Sequence, residues 1–241
     1  MREHLKFYVD GQWVDPIEKA VVETINPATE KPSGRIALGS VKDVDRAVKA
    51  ARKAFPRWSA TSREERLDLL ERIQAEYARR QSDLAKAVTE EMGAPSSLAN
   101  GFQVGLGAGH LATAIEVLRT YKFEEQRGQT LFVKEPIGVC AMITPWNWPI
   151  NQVTVKVFPA LATGCTMVVK PSQESHFSAH ILAEILDRAG VPAGVFNLIQ
   201  GKGSVVGDAM ARHPDVDMIS ITGSEAAGVA VAKAAADTVK R

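Results

Sequence analysis

In the C-terminal half of the chain, four short apolar runs each stop at a polar or glycine-rich loop. The run at 139–143 stops at Thr144-Pro145-Trp146-Asn147-Trp148-Pro149, and the run at 165–169 stops at Lys170-Pro171-Ser172-Gln173. The runs at 195–199 and 216–221 stop at Gln200-Gly201-Lys202-Gly203-Ser204 and at Thr222-Gly223-Ser224, with Gly228 shortly after. These residue types suit a phosphorylated ligand. A glycine-rich turn that enters a helix presents backbone N–H groups and the positive end of the helix dipole, which suits a pyrophosphate. Lys170 could contact a ribose hydroxyl or a phosphate, although a lysine after a strand is ordinarily solvated. Taken singly, each loop is ordinary turn chemistry. Four of them in sequence order are what points to a ligand.

Two standard phosphate motifs are absent. A P-loop ending at Gly201-Lys202 requires glycine at position 196 and Ser or Thr at 203, where the chain has Phe196 and Gly203. The dinucleotide fingerprint G-x-G-x-x-G also misses, because Gly201, Gly203 and Gly207 leave one residue too many. A dinucleotide mode here is a variant one, with Gly203, Gly207, Gly223, Ser224 and Gly228 as its candidate backbone contacts.

The elements that must position these loops alternate. Helical patterns at 150–163, 176–189, 204–212 and 225–239 succeed the β-like runs. Such alternation predicts a parallel α/β sheet with right-handed crossovers, whose ligands bind beyond the carboxyl ends of the strands. Upstream, Asp10-Gly11 between β-favouring runs predicts a hairpin over 5–14, and 21–25 reads as a further strand before Asn26-Pro27. Ser40 with Asp43 and Ser62 with Glu65 read as capping boxes that open helices, and Ser82 begins a continuation that Gly93 and Pro95 break. A third helical segment runs over 97–119. Its glycines at 101, 105, 107 and 109 allow close helix packing or mark a bent, irregular element. Residues 120–135 read as an exposed hairpin with Gln126-Arg127-Gly128 between its arms, and a partner subunit is a natural cover for its open edges.

Composition narrows the function classes. The 241 residues are 45% hydrophobic and 24% charged, with net charge +1, so no general field attracts nucleic acid or an anionic membrane. Two cysteines without a C-x-x-C spacing exclude a zinc ribbon or disulfide framework and suit a reducing compartment. No apolar run reaches transmembrane length, and the first ten residues carry no apolar signal-peptide core, so a cytoplasmic location is expected. Cys140 and Cys165 fall within apolar runs and read as packing residues, since neither has a charged partner nearby in sequence. His176 and His180 are four apart, but Phe177 occupies the glutamate position of H-E-x-x-H, so no metal site is expected.

Several motifs along the chain resemble the aldehyde dehydrogenase superfamily. They are Ile25-Asn26-Pro27-Ala28-Thr29, Glu135-Pro136-Ile137-Gly138-Val139, Pro145-Trp146-Asn147-Trp148-Pro149, Pro159-Ala160-Leu161-Ala162-Thr163-Gly164, Val169-Lys170-Pro171-Ser172, and Thr222-Gly223-Ser224 through Gly228. The resemblance implies a variant Rossmann-like parallel sheet with flanking helices that holds NAD or NADP. It implies that Lys170 holds the adenosine ribose, that Ser224 contacts the pyrophosphate, and that Trp146, with Thr144 and Pro145, lies beside the cofactor. Asn147 would donate its amide to the oxyanion formed when a thiolate attacks an aldehyde; a turn residue capping the next helix is the plainer reading. Residues 1–118 and 137–241 would form the cofactor domain, and 119–136 an oligomerisation hairpin that makes a homo-oligomer.

The family's nucleophilic cysteine and general-base glutamate lie beyond the Gly-Ser helix, and neither is present in residues 1–241. The expectation is therefore a cofactor-binding half that needs a catalytic half before any aldehyde substrate can be oxidised. A non-catalytic nucleotide-binding or self-associating module is the alternative. Where many NAD-preferring members carry a glutamate, this chain has Gln173, which would not repel a 2′-phosphate. With Lys170 and Ser172 beside it, NADP is expected to be tolerated or preferred. Glu225 suits a helix start and is expected to face away from the pyrophosphate.

Overall fold

The computed structural model describes residues 1–241. Strands β8 (Val139–Ile143), β9 (Thr166–Lys170), β10 (Phe196–Leu198) and β11 (Met218–Ile221) run parallel, as the alternation requires. The hairpin of β2 (Phe7–Val9) and β3 (Gln12–Val14), turned at Asp10 (φ 52°) and Gly11 (φ 74°), adds to β10 in antiparallel sense. Together these form the main sheet, six strands in the order β11-β8-β9-β10-β2-β3. A second sheet joins β1 (Arg2–His4), β5 (Lys31–Leu38) and β4 (Ala20–Asn26) in that order. The sequence pattern does not mark β1 and β5.

Helices cover both faces of the main sheet, which is why its parallel strands read as continuous apolar runs. Successive residues point to opposite faces. Cys140, Met142, Met167 and Val169 enter the larger core, while Val139, Ala141, Ile143 and Val168 enter the smaller. The smaller core is closed by α1 (Val41–Ser59) and α8 (Asp208–Arg212). The larger is closed by α2 (Arg63–Arg79), α3 (Gln81–Met92), α5 (Gly105–Thr120), α6 (Pro149–Ala162) and α7 (Phe177–Arg188).

Both predicted caps open helices. At α2 the box is reciprocal: Glu65 N–H donates to Ser62 Oγ (3.1 Å) and Ser62 N–H donates to Glu65 Oε2 (2.7 Å). At α1 the buried Asp43 carboxylate does most of the capping, accepting from the Ser40 N–H (3.0 Å) and hydroxyl (2.8 Å). The glycine-rich stretch is not one helix. It is divided into a short turn α4 (Ser96–Leu98), a π-helical segment (Ala99–Val104) and α5. Both readings of its glycines hold. The start is irregular, and Gly107 lies where a Cβ would collide with the Tyr77 hydroxyl, which donates to Val104 O (3.0 Å).

The protruding hairpin consists of β6 (Glu124–Arg127) and β7 (Thr130–Val133). Gln126 and Arg127 belong to its first arm rather than to the turn, because Gly128, at φ 60°, supplies the positive φ that a two-residue turn needs. Leu131, Phe132 and Val133 are about half exposed along its second arm. At the other end of the main sheet, β11 is half-buried along its length, and α9 (Glu225–Ala236) lies beside it. Arg241 lies along β11's outer edge, donating to Asp217 O (3.2 Å) and accepting from Ile219 N–H (2.7 Å). No helix is long and apolar enough to cross a membrane.

Candidate functional site

Register brings the four strand ends level. Ile221 pairs with Ile143, and Ile143 pairs with Lys170, so three strands stop in one row and β10 ends beside them. The loops beyond them enclose a cleft of about 630 Å³. It is lined by Thr144, Pro145, Trp146, Asn147, Lys170, Ser172, Gln173, Gly203, Gly223 and Ser224. Two expected contacts lie elsewhere. Gly207 is buried in the π-helical segment Gly203–Gly207 beneath the third loop, where a Cβ would touch Ile143. Gly228 is one turn into α9, with its N–H donated to Ser224 O (2.9 Å). A spacing count cannot tell a glycine that faces a ligand from one inside the next helix. Gln152, Glu174, Gly201 and Ala227 also line the cleft. Gln152 is legible in the sequence only as a position in the first turn of a helix that begins at Pro149.

Lys170 is not a solvated lysine. It is 4% exposed, and its Nζ donates to Pro171 O (3.0 Å) and Gly201 O (3.3 Å). An ammonium has three donors, so one remains for the cleft. Burial holds its pKa down at about 8, still charged at neutral pH. Thr144 is 3% exposed, and its hydroxyl has no partner. A buried, orphaned hydroxyl at a ligand-sized cleft is a group that a polar ligand would satisfy.

Asn147 is exposed and makes no side-chain hydrogen bond to α6. That helix has Trp148 at its N-cap, without a side-chain cap, and Pro149 at its first turn, so the capping reading of Asn147 is not realised. Trp146 is 58% exposed. Ser224 caps α9, its Oγ accepting from Ala227 N–H (3.3 Å), which leaves the hydroxyl proton free to donate. Glu225 is exposed and does not line the cleft, consistent with a carboxylate turned away.

The loop after β9 carries one feature that the motif did not convey. Gln173 Nε2 donates to Glu174 Oε1 (3.1 Å), and Ser172 Oγ accepts from Glu174 N–H (3.2 Å). A carboxylate thus stands at the cleft rim beside the neutral Gln173. His176 and His180 face an aromatic cluster: His180 stacks on Trp13 (4.1 Å between centroids), and His4 lies edge-on to His180 (3.8 Å). Cys140 and Cys165 are buried and do not line the cleft.

The chain matches the aldehyde dehydrogenase family profile over residues 13–241. It is 55% identical, over its whole length, to the 3-succinoylsemialdehyde-pyridine dehydrogenase of a Pseudomonas species, covering 51% of that protein. Among solved structures, it resembles a mutant of aldehyde dehydrogenase C from Pseudomonas syringae in complex with NAD+ and octanal. The TM-score is 0.97 at 53% identity, over 98% of this chain and 49% of that one. It also resembles the aldehyde dehydrogenase of Bartonella henselae, with a TM-score of 0.98 at 46% identity, over 100% of this chain and 52% of that one. The chain spans about half the length of the curated relatives it matches. With the variant Rossmann-like sheet, the strand-end cleft and these matches in agreement over nearly every residue, the chain belongs to the aldehyde dehydrogenase family.

Proposed function

We propose that residues 1–241 are the NAD(P)-binding portion of an aldehyde dehydrogenase, which oxidises an aldehyde to a carboxylic acid. The observation that carries this reading is the convergence of four parallel strand ends on one cleft, with a charged, buried Lys170 at its wall. NAD+ bound to related structures adds support. When bound, the nicotinamide dinucleotide accepts the hydride. The chain's own residues bind and orient. Lys170 holds the adenosine ribose with its remaining donor, Ser224 and the first N–H groups of α9 meet the pyrophosphate, and Trp146, with Thr144 and Pro145, lies beside the cofactor.

Asn147 is the group for chemistry. Exposed, and uncommitted to α6, its amide is available as a donor aimed at an oxyanion, where preorganised donors act most strongly. Within these residues the only thiols are Cys140 and Cys165, both away from the cleft, so the nucleophile that creates that oxyanion must come from outside residues 1–241. The cofactor body is formed by 1–118 and 137–241. The hairpin 119–136, with three half-exposed apolar residues on one arm, meets a second copy in a homo-oligomer. A cytoplasmic location fits the two free thiols.

Glu174 changes the reading of cofactor choice. A 2′-phosphate would meet its carboxylate at the rim, which weighs against a preference for NADP and towards NAD. Calorimetric titration of the 241-residue chain tests the proposal. NAD is expected to bind with one site per chain and more tightly than NADP, and no NAD(P)H is expected to form with any aldehyde. Absence of binding by either cofactor would overturn the reading, and turnover by this chain alone would overturn the role of the cysteines.

A further inference from the structure

Three histidines meet where the smaller sheet packs on the start of α7. Between ring centroids, His4 lies 3.8 Å from His180 and 5.9 Å from His176, and Trp13, on β3, stacks on His180. Phe177 packs against His4 (5.4 Å), and Gly34 on β5 leaves it room, since a Cβ there would stand 2.8 Å from the Phe177 ring. The cluster therefore ties β1, β3, β5 and α7 into one joint. The loop that runs into His176 is a wall of the cleft, through Ser172, Gln173 and Glu174.

Nothing around these rings welcomes a proton. His176 is fully buried, and four ring nitrogens, His4 Nδ1, His180 Nδ1 and both of His176, are buried without a hydrogen-bond partner. The rings are not placed to share a metal ion. From β1 comes a cation: Arg2 lies over the Phe177 ring (5.2 Å) and pairs with Glu90 of α3 (2.8 Å). From α3, the buried Glu91 accepts from the Phe177 and Ser178 N–H groups and the Ser178 hydroxyl, and burial raises it to about 7, so in acid it is itself neutral. From α7, Glu184 stands 3.9 Å from His180 Nε2 but already pairs with Arg80 (2.8 Å). Burial, with Arg2 adding to it, lowers His4 to about 4. Burial, the neighbouring rings and Arg2 lower His176 to about 3 and His180 further still.

We propose that His4, His176 and His180 form an acid-operated latch. While neutral, it holds β1 and β5 against the start of α7; when acid charges the rings, it releases them together with the cleft loop 171–175. An ordinary histidine titrates at about 6.5, so each ring contributes stability that is present above about pH 6.5 and is lost as the pH falls from there through its folded value. Glu91 acts in the opposite sense. Its folded value lies above the carboxylate range, so its contribution is present in acid and is lost as the pH rises through about 7. Three histidine protons against one carboxyl proton leave a net uptake of about two when the joint opens between about pH 6 and pH 5.

The test follows hydrogen exchange of the native 241-residue chain, expressed as protection factors, from about pH 7 to about pH 5. Each proton taken up on opening lowers protection tenfold per pH unit, so the fall at β1, β5 and the first turn of α7 is expected to exceed about tenfold between about pH 6 and pH 5. Protection at α9 should change less than about threefold over the same range. Trp13 fluorescence, identified by its loss in Trp13→Phe, should change with the same midpoint, because its stacking partner leaves. His4→Phe removes one of the three protons and should flatten the fall. A uniform loss of protection across all elements would be ordinary acid unfolding and would overturn the latch. So would a fall of less than about tenfold, or quenching of Trp13 at unchanged protection, which would mean that the rings charge in place. The wild-type profile decides the matter even if a variant fails to fold.

Discussion

Residues 200–204 and 222–228 both place glycines between a strand and a helix, but the fold uses them differently. The first loop turns inward. Gly201 has a φ of 153°, Gln200 O accepts from Gly39 N–H (2.8 Å), and Gly201 O accepts from Lys170 Nζ. It leads into a π-helical segment without a side-chain cap, then only five residues of α8. The second loop turns outward. Gly223 is exposed, Ser224 caps the helix, and α9 runs for twelve residues. One loop therefore clamps a lysine and the other offers a capped helix start to a ligand. The glycine pattern alone does not separate these tasks; burial and capping do.

The sharpest way to break this contrast is Gly201→Ala. A Cβ there would lie 2.5 Å from Val206 Cγ2 and 3.1 Å from Gly39 N, and the φ is one that side-chain-bearing residues rarely adopt. Backbone strain and overpacking together are expected to remove about 3 kcal/mol or more of stability. Urea unfolding measures it. A loss below about 1 kcal/mol would show that the inner loop is as free to move as the outer one.

Lys170→Met tests what the inner loop clamps. Dinucleotide affinity is expected to fall about ten- to hundredfold, the value of a charged hydrogen bond, while the chain stays folded. The pH dependence gives a second reading. Lys170 has a folded pKa of about 8, below the ordinary lysine value of 10.5. Between those values the unfolded chain holds the proton and the folded chain does not, so wild-type stability gains a contribution as pH rises through that window. Denaturation at pH values spanning the window should show this rise in the wild type and lose it in the variant. Identical profiles would mean that Lys170 is solvated in the native state.

The contrast also shows what was legible in the chain. Local signals held: Asp10-Gly11 makes its turn, Ser62 and Glu65 make their box, and the alternating runs make the parallel strands. Features set by distant partners were not legible. β1 has little β character and pairs with β5 some thirty residues later. The start of α7 is capped by Glu91, 86 residues before Phe177, through bonds from the Phe177 N–H (2.5 Å) and the Ser178 hydroxyl (2.5 Å). Lys170 reads as a surface lysine because nothing beside it in sequence predicts that Gly201 folds over it. Arg66 lies against Gly164, about a hundred residues later, so their encounter leaves no mark in either local stretch.

On the outer side, Ser224→Ala removes the oxygen that accepts from Ala227 N–H. Loss of an N-cap costs about 1 kcal/mol. Here it should fall mainly on α9, because that helix borders an edge strand that is itself half-buried. Hydrogen exchange should therefore rise at the start of α9 and stay unchanged at Lys170. A uniform rise across the sheet would tie the two loops together as one cooperative unit.

Gly223→Ala is the mildest test and the most specific to a ligand. The nearest atoms to an added Cβ are Ala227 Cβ and Ile221 Cγ1, both at 3.8 Å, which is ordinary contact. Stability is expected to stay within about 0.5 kcal/mol of wild type. The methyl would nevertheless project where a pyrophosphate must approach the backbone of the loop, so dinucleotide affinity should fall several-fold. Thermal unfolding and titration of the same preparation measure the two effects. Weaker binding at unchanged stability is what an open, ligand-facing glycine gives. A stability loss approaching that of Gly201→Ala would instead make Gly223 a structural glycine, and the difference between the two loops would disappear.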